Sequence, residues 1–130
     1  MTKFTIADRL KKIKLIVSDV DGVLTDGRIY FDAAGEEIKV FCARDGIRID
    51  AWLRYGGKML WFSGRRSVGL TVRAKTLGVD LVYKFELDDD LFKYLNEKYV
   101  IAPSQVLYVG DDWNDLYYQS QAAVAVVPAN

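Results

Sequence analysis

Any fold this chain adopts must accommodate five short strand-like runs, Leu15–Ser18, Lys58–Phe62, Leu81–Tyr83, Val106–Val109 and Val124–Val127, which alternate with segments of helical spacing. Such alternation implies a parallel sheet covered by helices on both faces. Between about Asp45 and Tyr55, Ile49, Trp52 and Leu53 share one face, and Gly56-Gly57 ends that helix. Ser67 is placed to cap a second helix carrying Leu70, Ala74 and Leu77 on one side, with Gly78 as its stop. Leu91, Leu95 and Tyr99 mark a third helix near Asp89–Tyr99, and a short fourth starts around Asn114. One element interrupts the alternation. Arg28–Phe31 and Glu37–Phe41 flank the turn Asp32-Ala33-Ala34-Gly35 and read as a β-hairpin inserted after the first strand. The reading is an α/β fold with a five-stranded parallel sheet, and a chain of 130 residues suits one domain, 1–130, with a single core.

In sheets of this kind ligands bind at the carboxyl ends of the strands, at the topological switch point. The polar clusters of this chain fall at those ends. Asp19 and Asp21 follow the first strand, Ser63-Gly64-Arg65 the second, and Gly110-Asp111-Asp112 the fourth. A buried unpaired carboxylate is costly, and two close together repel unless a cation or proton lies between them. A divalent metal with hard oxygen ligands, Mg²⁺ above all, resolves both problems. Beside such a metal one carboxylate can attack an electrophile such as phosphorus while the other moves protons. Taken singly, each cluster has a plainer reading. Asp-x-Asp-Gly fits an ordinary turn, Gly110–Asp115 fits a helix N-cap with favourable dipole charges, and Ser63-Gly64 fits a strand-end turn. Brought together at one sheet edge, Asp111 completes an oxygen shell, Asp115 holds a water of that shell, and Ser63 with the Gly64 amide offers donors to a phosphate oxygen.

Composition narrows the chemistry. The chain has no histidine, which excludes Ser-His-Asp and Cys-His catalysis and His-ligated zinc. Zero formal net charge and a pI near 6.2 give no nucleic-acid footprint. Residues 1–14 are too charged for a signal peptide, and no apolar run approaches a membrane span, so neither secretion nor membrane insertion is expected. A single cysteine, Cys42, excludes an intrachain disulfide and fits a reducing, cytoplasmic compartment; with no histidine to activate it, Cys42 reads as a packed strand residue.

The order Asp19-Val20-Asp21-Gly22-Val23, Ser63-Gly64-Arg65, then Gly110-Asp111-Asp112-Trp113-Asn114-Asp115 resembles the haloacid dehalogenase (HAD) superfamily of phosphohydrolases. It is most similar to the cap-less branch acting on 3-deoxy-D-manno-octulosonate 8-phosphate (KDO 8-phosphate). Leu24-Thr25-Asp26-Gly27, the hairpin, Arg44-Asp45-Gly46 and Arg73-Ala74-Lys75-Thr76-Leu77-Gly78 carry that closer likeness. The resemblance implies a Rossmann-like fold and a Mg²⁺-dependent phosphatase acting on a small sugar-acid phosphate, KDO 8-phosphate or a related nonulosonate 9-phosphate. It also implies roles. Asp19 is the nucleophile and a metal ligand, Asp21 the general acid/base whose backbone carbonyl touches the metal, and Asp111 the third protein ligand, with Asn114 and Asp115 in support. Ser63 and Gly64 hold the phosphoryl group, and Arg44 and Arg65 are candidate contacts for an anionic sugar acid. The hairpin is expected to pair between subunits of a homotetramer.

The chain departs from that pattern in two places. The family's phosphate-binding lysine follows the third strand; here that position falls within Asp88-Asp89-Asp90. Lys84 and Lys93 lie near enough for one of them to reach the site from a different backbone position, but neither matches the motif, so the role is not carried over to either. Family members also continue past the fifth strand with a helix and a charged tail, whereas this chain reaches Pro128-Ala129-Asn130. A catalytically weakened assembly domain on the same fold is therefore the alternative reading. A phospho-accepting receiver domain is excluded by motif order, since its acceptor aspartate lies after a later strand.

Overall fold

The computed structural model describes residues 5–87 and 90–129. Five parallel strands form one sheet in the order β5-β4-β1-β6-β7: β1 Leu15–Ser18, β4 Lys58–Ser63, β5 Asp80–Tyr83, β6 Val106–Val109 and β7 Val124–Val126. β2 Tyr30–Phe31 and β3 Glu37–Ile38 pair antiparallel as the separate hairpin. The helices are α1 Ile6–Lys11, α2 Ala43–Arg54, α3 Val68–Leu77, α4 Leu91–Tyr99 and α5 Trp113–Gln121. Among the described residues no helix is long and apolar enough to cross a membrane.

The period-2 geometry of a strand explains how one sheet serves two cores. In β4, Leu60 and Phe62 join Leu91, Phe92 and Leu95 of α4 on one face, with Leu15, Val17, Val106 and Tyr108 from the neighbouring strands. Met59 and Trp61 point the other way, onto Ile49 of α2 and Leu70 and Ala74 of α3. β4 is thus buried on both sides, as its uninterrupted apolar stretch requires. α2 and α3 cover one face, α4 and α5 the other. The change of side occurs where the chain, having built β4 and β5 outward from β1, crosses to β6 on the opposite flank. β1 therefore sits at the switch point, flanked by β4 and β6.

The structure moves several element ends. α2 begins at Ala43, two residues before the start expected near Asp45, with Cys42 as an extended, exposed cap. Cys42 is thus at a helix start and not in a packed strand. α5 begins at Trp113 because the Asp112 carboxylate accepts the Trp113 N–H at 2.7 Å. α4 begins at Leu91 behind Asp90, whose carboxylate accepts the Phe92 N–H at 2.8 Å. β2 and β3 are two residues each, shorter than the arms read from the sequence, because the chain after Ile38 leaves the hairpin and carries Lys39 inward. α1 was not anticipated. Its signal is the capping box Thr5-Ile6-Ala7-Asp8: the Thr5 hydroxyl accepts the Asp8 N–H at 3.1 Å, and the Asp8 carboxylate accepts the Thr5 N–H at 3.0 Å.

Candidate active site

Asp19 is delivered by the end of β1, where its N–H donates to the Val109 carbonyl of β6 at 2.9 Å and so extends the parallel ladder by one residue. Its side chain accepts the Val20 N–H at 2.8 Å. The chain then turns sharply. The Leu24 N–H returns to the Val20 carbonyl at 2.8 Å, while the Thr25 hydroxyl accepts from the Gly22 and Gly27 amides at 3.2 and 3.3 Å. Gly22 is required here on two counts. Its φ is +83°, and a β-carbon would stand 1.8 Å from an Asp111 carboxylate oxygen.

Asp111 arrives from the end of β6, and Asp115 from the first turn of α5. Carboxylate oxygens of Asp19, Asp111 and Asp115 lie within 4.8 Å of one another. Asp115 is completely buried, and its oxygens are engaged: one accepts the Tyr108 hydroxyl at 2.7 Å and faces the Lys84 ammonium at 3.4 Å, the other accepts the Asp111 and Asp112 amides at 3.2 Å each. A β-carbon on Gly110 would meet the Asp115 carboxyl carbon at 2.4 Å, so the close approach depends on that glycine. The donor set is all hard oxygen, which suits Mg²⁺. With its lone pairs so occupied, Asp115 serves best as the brace that holds the Asp111 backbone, leaving Asp19 and the exposed Asp111 to face an ion.

An open cleft of about 320 Å³ lies above these residues, lined by Asp19, Asp21, Gly64, Arg65, Lys84, Asp111 and Asn114 among others. Burial pushes the Asp19 carboxyl up to about 7; the Lys84 ammonium opposes that rise, and the Asp115 and Asp111 charges add to it. A cation in the cleft reverses this balance in favour of the carboxylate. Burial and the bond to Asp115 raise the Tyr108 hydroxyl, which stays protonated as a donor.

Of the residues named from the sequence, Asp19, Asp21, Gly64, Arg65, Asp111 and Asn114 line the cleft, and Asp115 lies beneath it. Ser63 and Arg44 are not among the described lining residues. Ser63 is buried, its hydroxyl accepting the Arg65 N–H at 3.3 Å and donating to the Arg65 carbonyl at 3.2 Å; Arg44 is exposed on the first turn of α2. The Arg65 guanidinium is held by Glu37 at 2.7 Å. Of the lysine position expected within Asp88-Asp89-Asp90, Asp88 and Asp89 lie outside the described residues, and Asp90 caps α4.

Two participants, Lys39 and Tyr108, were not read from the sequence, and a third, Lys84, was read only as a nearby lysine outside the motif. Lys39, 5% exposed, donates to Asp21 and to Glu37, the latter at 3.0 Å, tying the hairpin to the Asp21 carboxylate. Burial acts to lower the Lys39 ammonium, but those two hydrogen bonds outweigh it and hold the group above its usual range. Lys84, the first residue after β5, stands 3.8 Å from Asp19. Tyr108 points down onto Asp115. Both lysines act across long sequence separations, with no local motif to announce them.

No family model matches the chain. The 3-deoxy-D-manno-octulosonate 8-phosphate phosphatase KdsC of Escherichia coli K12 is 37% identical over 123 residues, covering 94% of this chain and 65% of the relative. The Salmonella typhimurium enzyme of the same name is 36% identical over 126 residues, covering 96% and 67%. This chain thus spans about two thirds of the length of the curated relatives it matches. Among solved structures, the Yersinia pestis KDO 8-phosphate phosphatase superposes with a TM-score of 0.86 at 35% identity, covering 94% of this chain and 66% of that one. The Moraxella catarrhalis phosphatase, solved with a magnesium ion, a phosphate ion and KDO, superposes at 0.82 with 34% identity, covering 92% and 69%. Similarity at this level, over nearly the whole chain and on the same sheet, places the chain in the KDO 8-phosphate phosphatase family of the HAD superfamily.

Proposed function

We propose that the chain is a Mg²⁺-dependent phosphomonoesterase that hydrolyses a small sugar-acid phosphate, KDO 8-phosphate or a related nonulosonate 9-phosphate. The observation that carries this reading is the convergence of the Asp19, Asp111 and Asp115 carboxylates at the switch point, with Asp21 two residues on at the same cleft. Asp19, the Asp21 backbone carbonyl and Asp111 would hold Mg²⁺, which would supply charge neutralisation for the phosphoryl oxygens. An Asp19 carboxylate oxygen attacks phosphorus, forming an aspartyl-phosphate as the bond to the sugar oxygen breaks. Asp21 gives its proton to that leaving oxygen, then takes one from the water that attacks phosphorus and frees Asp19. The Gly64 amide, with Ser63 fixing its loop from below, faces the phosphoryl group, and Asn114 borders the metal position.

Homologous enzymes named for KDO 8-phosphate support the substrate class, and the Moraxella structure with magnesium, phosphate and KDO supports the cofactor. Exposed Ile29, Phe31, Ile38 and Val40 along and beside the hairpin support assembly of copies through it, into a homotetramer. The lone, unpaired Cys42 fits work in the cytoplasm. The test is phosphate release from KDO 8-phosphate and from p-nitrophenyl phosphate with and without Mg²⁺, alongside Asp19→Asn. The expected result is release that chelation and Asp19→Asn both abolish. No release from either compound by a folded, Mg²⁺-binding wild-type chain would instead establish the weakened assembly domain.

A further inference from the structure

The phosphatase reading leaves a gap, because the segment where a phosphate-binding lysine is expected is a run of aspartates. We propose that Lys84 supplies this cation from a different backbone position, the residue directly after β5, binding a phosphoryl oxygen beside Asp19. This assignment rests on the phosphatase reading above and adds a residue to it.

Four features of the fold support the placement. β5 runs parallel to β4 with Ser63 opposite Tyr83, so the residue after Tyr83 leaves the sheet at the same edge as Ser63-Gly64. The Lys84 stem then crosses toward β1 over Gly64; a β-carbon there would lie 3.9 Å from the Lys84 Cδ, the one atom within 4 Å among the described residues. The ammonium lies over the Phe62 ring, 5.4 Å from its centroid, a cation–π contact that favours this placement. It ends 3.8 Å from Asp19 and 3.4 Å from Asp115, with the lysine side chain 22% exposed and lining the cleft.

That position answers the electrostatic need of the reaction. A phosphate dianion approaching Asp19 meets the negative charges of Asp19 and Asp111, and a single divalent ion leaves a surplus of negative charge. A fixed ammonium beside the nucleophile offsets part of it, and gains as charge builds on the equatorial oxygens in the transition state. The Asp115 contact sets the reach of the side chain, so Lys84 is preorganised without binding the substrate first. Lys39, a more deeply buried ammonium at this edge, is occupied by Asp21 and Glu37. Lys93 lies exposed on α4, outside the described lining of the cleft.

The test compares wild type, Lys84→Met and Lys84→Arg by turnover and by equilibrium binding of inorganic phosphate in saturating Mg²⁺. Melting temperature and Mg²⁺ affinity are followed in parallel to separate misfolding from loss of the cation. In Lys84→Met we expect kcat/KM to fall at least a hundredfold and phosphate affinity at least tenfold, with Mg²⁺ binding retained. Lys84→Arg keeps the charge and is expected to recover a substantial part of both. Wild-type activity with Lys84→Met inside threefold on both measures would overturn the assignment while leaving the phosphatase reading intact. If wild type releases no phosphate, the phosphatase reading fails, and binding alone decides: phosphate affinity lost in Lys84→Met supports the cation site, and equal or absent affinity in the two proteins overturns it.

Discussion

Asp115 shows how a single buried residue organises the site without facing the substrate. It has no exposed surface, yet it accepts a hydroxyl, two amides and an ammonium contact from residues on three elements. Removing the Tyr108 hydroxyl by Tyr108→Phe would leave one Asp115 oxygen with Lys84 alone. Loss of one partner from a buried hydrogen bond costs about 1–3 kcal/mol. Loosening the brace behind Asp111, the proposed metal ligand, is expected to cost about 10–100-fold in metal affinity. Tyr108→Phe is therefore expected to fold, to melt at a lower temperature, and to bind Mg²⁺ at least tenfold more weakly in calorimetric titration. The aspartates at strand ends were legible because their types and order were sufficient evidence. Lys84 was not. Its ammonium reaches Asp19 only because β5 runs beside β4 and Gly64 leaves room for the stem, and neither fact is local to Lys84 in the chain.

The hairpin is the element whose consequences were least readable. Its turn and pairing partners follow from Asp32-Ala33-Ala34-Gly35, where the Asp32 carboxylate accepts the Ala34 and Glu36 amides at 2.9 Å each. Its attachment to the site depends on a charge chain, Arg65 to Glu37 to Lys39 to Asp21, which is tertiary. The Lys39 and Arg65 contacts outweigh burial and hold the Glu37 carboxyl below its ordinary 4.5. A depressed carboxyl contributes stability that is present above its ordinary value and lost as pH falls through the folded value. The melting-temperature gap between wild type and Glu37→Gln is thus expected to be constant above about pH 5.5 and to close on acidification below 4.5. A gap unchanged down to pH 3 would mean that Glu37 acts by packing and not by charge. Lys39→Met tests the other end of the chain. With Asp21 released from its anchor, kcat is expected to drop about 10- to 100-fold, because small misplacement of a reacting group has effects of that size.

At the scale of the molecule, the site depends on a sheet that both helical layers hold in place. Asp19 extends β1 and Asp111 extends β6, and these strands carry side chains packed from the α4–α5 side, while β4 beside them also supports α2 and α3. Leu70 on one side and Leu95 on the other are both fully buried. Truncating either to alanine is expected to cost about 2–5 kcal/mol, since each leaves a cavity in a packed cluster. If the sheet unfolds as one unit, each variant melts in a single transition, and the losses add in the double variant because the two residues belong to separate clusters on opposite faces of the sheet. Mg²⁺ provides the decisive comparison. A ligand bound only by the folded state stabilises it by about 2.7 kcal/mol at a hundred times its Kd, whatever the starting stability. The same increment of stability from Mg²⁺ is therefore expected in wild type, Leu70→Ala and Leu95→Ala, measured by denaturant titration at fixed free ion. An increment lost in one variant alone would show that the metal position leans on that layer only. The strand order that places Asp19 and Asp111 side by side would then not be sufficient to build the site.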